Sequence, residues 1–209
     1  MWIVGCGLRD CVEAVGFFLE RLRLACALYW LTSKDQFTGA EYHDNLGANA
    51  EKRFHRLGLP DKISDLADRY EFSLVGENMA HILSINQARN CLTHRSGVVA
   101  AKDANSEGRL QISWETPELV ATRDGREFVL SQGTPVNRGD QIRMRTKQTH
   151  RIFNVGETLI FSASEFTELC WTLFRFGVVC IEVLNRYGTA RGVRKAEAAD
   201  TTIPQDHSG

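Results

Sequence analysis

The segment Ala88-Arg89-Asn90-Cys91-Leu92-Thr93-His94-Arg95-Ser96-Gly97 lies where the pattern of the chain changes from helical to extended. Residues 74–95 carry apolar side chains at helical spacing, which predicts a helix that ends within this segment. Gly97 favours that end, because glycine readily adopts the left-handed conformation found at helix C-termini. After Val99, apolar and polar residues alternate as they do in strands that bury one face. The chain is therefore expected to be helical before this segment and to enter a β region after it.

Further helices are expected on both sides of this segment. Apolar spacing predicts them over 6–32 and 165–187, with Ser164 as the N-cap of the latter. A weaker helix is expected over 40–57, ending at Gly58, and the restart at Leu59-Pro60-Asp61 predicts a short one over 61–70. Alternation and the hairpin signal Asp124-Gly125 predict a small antiparallel insert of three to five strands at about 109–161, including strands at 141–152 and 158–161. We therefore predict a mainly α fold, an up-and-down helical bundle with this β insert between its last two long helices. Residues 1–187 would form one domain and 188–209 a disordered tail.

The composition is that of an ordinary globular protein. Of the 209 residues, 43% are hydrophobic and 24% are charged, and the formal net charge is −1. The whole molecule therefore has no net positive charge that would attract nucleic acid. A nucleic-acid-binding site would have to come from a local patch of positive charge. The apolar segment 12–31 contains Glu13, Glu20, Arg21 and Arg23, so an amphipathic core helix is expected there and no membrane span.

The cysteines and histidines give no sign of a metal or disulfide framework. None of the six cysteines has Cys-x-x-Cys spacing, and most fall among apolar helical residues. They are typical of reduced core cysteines in a cytoplasmic protein. The six histidines form no cluster with metal-ligand spacing, so we expect neither a metal nor another cofactor.

Arg89, Asn90 and His94 are the residues with the most specific chemistry. A guanidinium can neutralise a phosphate and an imidazole can move a proton near neutral pH, which together suffice for cutting RNA without a metal. On an ideal helix with about 100° per residue, Arg89 and His94 stand about 140° apart, whereas Asn90 and His94 share a face. The three side chains therefore form one site only if the helix end is irregular or another chain contributes.

Two interpretations of this helix end stay open. The three polar side chains continue the sector of an apolar stripe formed by Val75, Met79, Ile82 and Leu83. Either the last turns leave the core and enter a solvated cleft or a subunit interface, or the side chains cap the helix and complement its dipole. Arg143 and Arg145 also precede His150 at a similar spacing, but they fall in a predicted strand at odd separations, where side chains point to opposite faces.

The string Arg89-Asn90-Cys91-Leu92-Thr93-His94 resembles the signature of the HEPN superfamily, small helical domains whose ribonuclease members carry Arg, four to six residues, and then His. The resemblance covers about 6–99 and 164–187, and the insert at 109–161 departs from a minimal bundle of this family. It implies a homodimer, or a pairing with another HEPN domain, in which both motifs face one cleft. It also implies that His94 acts as general base or acid, that Arg89 binds the scissile phosphate, and that Asn90 orients His94 or holds a phosphate oxygen.

The function implied by this resemblance is a metal-independent endoribonuclease, with RNA as its substrate and a toxin or defence effector as its biological role. An antitoxin or regulatory protein would then be a further partner. The alternative is a non-catalytic HEPN-like module that dimerises or binds a nucleotide or phosphate. In that case Arg89 and His94 would bind the ligand or only stabilise the helix end. A third interpretation is an unrelated helical interaction protein in which the motif is a coincidence.

A second, weaker set of RNA-binding candidates lies in the predicted strand 141–152. Arg143, Arg145 and Lys147 recur at period two and would form a ridge along one face that tracks phosphates, and Arg95 would support the motif itself. The alternative is an exposed edge strand whose charges protect it against aggregation.

Overall fold

A computed structural model describes residues 2–74, 76–131 and 133–192. Over these residues 56% are helical and 19% are in strands. The helices are α1 (Trp2–Thr32), α2 (Gly39–Leu46), α3 (Ala48–His55), α4 (Leu59–Tyr70), α5 (Glu77–His94) and α6 (Ala163–Ala190), and a single 3₁₀ turn spans Ala101–Asp103. The strands are β1 (Arg109–Arg123), β2 (Arg126–Val129) and β3 (Gln141–Asn154).

The long helix α1 lies at the centre of the helical layer. It packs against α4, α5 and α6, and its fully buried residues Leu8, Leu19 and Cys26 belong to the main core. Their spacing keeps one stripe of α1 buried along its length, as expected for an amphipathic helix covered by neighbours. This arrangement places the polar residues of α1, including Glu13 and Glu20, beside α4 and α5.

The three strands form one antiparallel sheet in the order β2-β1-β3. Leu110, Ile112 and Trp114 alternate along β1, and all three are buried in the same core as the helices. The edge of β1 that β3 does not pair is capped by helix hydroxyls. Ser84 Oγ accepts from Ser113 N at 3.0 Å, and Thr172 Oγ1 accepts from Glu115 N at 2.9 Å. These bonds satisfy backbone donors that would otherwise be buried without a partner.

The predicted fold class, a mainly helical bundle, is wrong, because the fold is mixed α/β. The strands do lie between the last two long helices, and Asp124-Gly125 does form the β1–β2 turn. However, the sheet is not an appendage, since β1 packs against both α5 and α6 and contributes the fully buried Trp114 to the core. Local alternation in the sequence predicts strands, but it does not reveal which layer will cover their apolar face.

Several predicted boundaries also differ. The segment 40–57 forms two helices, because Gly47 is extended (φ −69°, ψ 159°) and a Cβ there would lie 2.4 Å from His43 O. Ser162, not Ser164, caps α6, and it shares a capping box with Glu165. The strand expected at 158–161 is reduced to a single bridge between Thr158 and Val98.

The C-terminal end of the described chain is helical. α6 continues to Ala190, three residues beyond the predicted end at 187, and Tyr187 on it donates a hydrogen bond to Tyr70 O at 2.7 Å. Most of the tail predicted at 188–209 falls on 193–209, which lie outside the described residues. None of the helices in the described ranges has an apolar stretch sufficient to cross a membrane.

Candidate active site

Arg89 lies in the C-terminal half of α5 with its side chain 23% exposed. Its Nη1 donates a hydrogen bond to Asn90 Oδ1 at 2.9 Å, and its Nη2 donates one to Glu13 Oε1 on α1 at 3.3 Å. A guanidinium has five N–H donors, so each Nη atom keeps one N–H for a further acceptor. The two contacts orient the guanidinium and leave it able to bind phosphate oxygens.

The fully buried face of α5 does not include Arg89, Asn90 or His94. Ile82, Ile85, Ala88 and Cys91 are all fully buried, and they form the stripe that packs into the core. Arg89 therefore flanks this stripe and does not replace part of it. Of the stripe expected from the sequence, Ile82 belongs to this buried set, Met79 and Leu83 are half-buried, and Val75 lies outside the described residues. Arg89 faces α1, where Glu13 pairs with its charge, while its buried Nε has no hydrogen-bond partner among the described residues.

A groove of about 440 Å³ adjoins Arg89. Its walls come from α1, from the turn between α3 and α4, from α4 and from α5. The chemistry-bearing side chains that line it are Glu13, Glu20, His55, Arg56, Lys62, Asn86 and Arg89. Residues that are distant in the sequence meet in this groove. They place acid/base groups and several cations together in one concave site.

Glu20 joins two of these groups. Its Oε1 accepts hydrogen bonds from Lys62 Nζ at 2.7 Å and from His55 Nδ1 at 3.0 Å. The Lys62 side chain is only 7% exposed, so the carboxylate supplies the charge that compensates for its burial. Burial raises the pKa of Glu20, but the hydrogen bonds from Lys62 and His55 lower it more, so this pKa lies below its usual value.

His55 ends α3 and is exposed at the groove. Its hydrogen bond to Glu20 selects the tautomer in which Nδ1 carries the proton, and this leaves Nε2 as an acceptor. An imidazole held by a carboxylate can take a proton from a hydroxyl and later return one. With Arg89 and Lys62 lining the same groove, the arrangement can bind a phosphodiester and move protons beside it.

His94 does not line this groove. It is exposed on the last turn of α5, in a separate depression of about 370 Å³ that it shares with Gln87, Asn90, Arg95, Lys102 and Asp103. No described residue forms a hydrogen bond or ion pair with His94. Within one chain Asn90 is therefore the link between the two sites, because it lines the depression and contacts Arg89.

Arg95 has a structural partner at the end of α5. Its Nη2 pairs with Asp103 Oδ1, and the Asp103 side chain, only 7% exposed, also accepts from Ala100 N at 3.0 Å. The pair connects the helix end to the 3₁₀ turn that follows. Gly97 (φ 81°) takes the positive φ predicted for the stop, and Ser96 (φ 52°) does so as well.

The basic ridge on β3 is tied to acidic partners. Arg143 pairs with Glu127 on β2, and Arg145 pairs with Glu118 on β1 at 3.0 Å. The side chains do share one face, as the period of two predicts. Lys147 is exposed on the same face and has no ion pair with another described residue. The two arginines therefore form ion pairs across the strands of the sheet. These pairs reduce the positive charge that the arginines can offer to RNA.

Sequence reasoning missed His55, Glu20 and Lys62. These residues come from three helices and have no mutual spacing that a motif search could detect. The one local signal is the buried lysine, because Lys62 occupies the apolar side of the amphipathic helix α4 next to Leu59 and Leu66, which are buried too. A lysine at such a position needs a carboxylate partner. The sequence does not say which of its acidic residues provides it.

No family model matches the chain, and the comparisons with curated proteins and with solved structures give no significant match. In the described ranges, no group of three or more His, Cys, Asp or Glu side chains is arranged to hold a metal ion.

Proposed function

We propose that the chain is a metal-independent endoribonuclease in which Arg89 binds the scissile phosphate. The observation that supports this most is the presence of Arg89, Lys62 and a carboxylate-held His55 in one open groove. The groove provides positive charge for the phosphodiester and an imidazole for proton transfer. The resemblance of 89–94 to the HEPN signature points to the same chemistry from a different set of observations.

The reaction needs one base and one acid. The base removes the proton of a ribose 2′-hydroxyl, the 2′-oxygen attacks phosphorus, the bond to the 5′-oxygen breaks, and the acid gives that oxygen a proton. The products are a 2′,3′-cyclic phosphate and a free 5′-hydroxyl. Arg89 stabilises the charge that builds on the non-bridging oxygens in the transition state.

Two histidines supply these proton transfers in our proposal. His55 acts from within the groove of one chain, and Glu20 keeps its ring oriented. His94 comes from a second copy of the chain, because on its own chain it lines a separate depression. This homodimer is the assembly that the resemblance implies, and it brings Arg89 and His94 to one cleft without distortion of α5. Asn90 positions the Arg89 guanidinium from the side.

The test is cleavage of a mixed RNA pool and of the matching DNA in excess EDTA. We expect RNA to be cut and DNA to remain intact, because only RNA has the 2′-hydroxyl. Product ends should be 2′,3′-cyclic phosphates, which phosphatase does not remove until acid opens the ring. Strong inhibition by EDTA, or cutting of DNA at a similar rate, would contradict the mechanism.

A second candidate function is a module that binds phosphate or nucleotides and dimerises without catalysis. It is favoured by the contact between Arg89 and Glu13, since a carboxylate at 3.3 Å already neutralises part of the guanidinium charge. RNA that binds in a salt-dependent way and is recovered intact after long incubation would support this candidate over the nuclease.

A further inference from the structure

Two cysteines from opposite ends of the chain are in contact. Cys11 on α1 and Cys170 on α6 place their Sγ atoms 3.7 Å apart, although 159 residues separate them in the sequence. Both side chains are half-buried and line an apolar groove of about 380 Å³ between the two helices. An oxidant that enters this groove therefore reaches both sulfur atoms.

We propose that Cys11 and Cys170 form a redox-active dithiol that peroxide converts to a disulfide linking α1 to α6. A disulfide bond is about 2.05 Å long, so the two sulfur atoms must approach by less than 2 Å, which small side-chain rotations can supply. The site does not depend on the proposed nuclease activity, because the apolar groove shares no lining residue with the Arg89 groove.

Either sulfur can begin the oxidation, because both line the apolar groove. Burial and the contact with Cys11 raise the pKa of Cys170 to about 12. In our proposal Cys11 reacts first. Its sulfur attacks one peroxide oxygen, the O–O bond breaks, and Cys11 becomes a sulfenic acid while one water is released.

Cys170 then resolves this intermediate. Its sulfur attacks the Cys11 sulfur, the S–O bond breaks, and hydroxide leaves with the thiol proton of Cys170 as a second water. Overall, two thiols lose two electrons and peroxide gains them. The product links the first and last described helices, so it restricts the unfolded chain over most of its length.

The remaining cysteines provide an internal comparison. Cys26 and Cys180 are fully buried, and burial raises the pKa of each thiol to about 12. Peroxide has no open path to them, so they should stay reduced under the conditions that oxidise Cys11. Cys6 is half-buried like Cys11 and serves as the matched control position.

The experiment is peroxide treatment of the full chain, followed by alkylation in denaturant and mass spectrometry of peptides. We expect two fewer alkylated thiols than in the reduced protein, a linked Cys11–Cys170 peptide within a single chain, and a melting temperature raised by several degrees. Cys11→Ser and Cys170→Ser should each abolish the link, and Cys6→Ser should retain it, with circular dichroism as the check on folding. The proposal would be overturned if all thiols were retained. It would also be overturned by a link between other cysteines or between chains, or by over-oxidation of Cys11 without a link.

Discussion

At the scale of single residues, Glu20 determines the chemistry of the Arg89 groove. One of its oxygens accepts from both Lys62 and His55, so a single carboxylate compensates a buried ammonium and orients an exposed imidazole. Because one carboxylate has both roles, a substitution of Glu20 affects Lys62 and His55 together. Loss of the charge would leave Lys62 buried without a counter-ion and His55 without the group that holds its ring.

Glu20→Gln should therefore destabilise the fold by roughly 3 kcal/mol at pH 7, as expected when a buried charge loses its partner. The pKa of Glu20 is lowered in the folded state, so its contribution to stability is complete above the unfolded carboxyl pKa of about 4.5 and is lost as the pH falls through the folded value. The variant should lack this part of the acid-dependent loss of stability.

Urea denaturation of both proteins between pH 7 and pH 3 measures this effect. Glu107→Gln is the matched control, because its ion pair with Arg109 lies on the surface and should contribute less than about 1 kcal/mol. Equal stability of Glu20→Gln and the wild type at pH 7 would mean that the contact with Lys62 does not contribute to the free energy of unfolding.

At the scale of elements, the strand β1 connects the sheet to the helical layer. One face buries Trp114, whose Nε1 donates to Glu168 Oε2 on α6 at 2.6 Å, and one edge is capped by Ser84 and Thr172. The sheet is therefore part of the core that holds α5 and α6 in place.

Trp114→Ala tests this role of the sheet. We expect a loss of about 3–5 kcal/mol in the free energy of unfolding, as for other large residues removed from cores, together with loss of the hydrogen bond to Glu168. Ile142→Ala, at an exposed position of β3, should cost less than about 0.5 kcal/mol. Thermal and urea denaturation measure both values. A small effect of Trp114→Ala would mean that the sheet is a peripheral insert and not part of the core.

The helices and strands were predictable where one local signal sufficed. Apolar periodicity predicts α1, α5 and α6, the restart at Leu59-Pro60-Asp61 predicts α4, and Asp124-Gly125 predicts the hairpin. The choice of Arg89 as a candidate also rests on its own segment, and it stays a prediction. The fold class and the groove were not predictable, because the burial of Trp114 and the meeting of Glu20, His55 and Lys62 depend on how separate elements pack. The break at Gly47 depends on a close backbone approach that only the folded geometry reveals.

At the scale of the whole molecule, the proposed nuclease is a homodimer whose sites combine residues of two chains. In this proposal Arg89 and His55 come from one copy and His94 from the other, so each site would be incomplete in a monomer. A site shared between two chains can be distinguished from a site within one chain. Two variants that are inactive alone can restore activity in a mixed dimer only if the site is shared.

Co-expression of His55→Ala with His94→Ala tests this arrangement. Each variant alone should lose at least about 100-fold in cleavage rate. Mixed dimers should recover activity to about a quarter of the wild-type value, because half of the dimers are mixed and each of these has one intact site. No recovery in a preparation that contains mixed dimers would assign both histidines to sites within one chain.

The most direct measurement compares the wild type with Arg89→Ala on one RNA in excess EDTA, with Arg109→Ala as a control at an exposed arginine outside the groove. We expect cleavage by the wild type and the control, and a loss of at least about 100-fold in the Arg89 variant, since it lacks the group that stabilises the transition-state charge. Equal cleavage by all three proteins, or none by the wild type, would contradict the assignment of a ribonuclease site to Arg89.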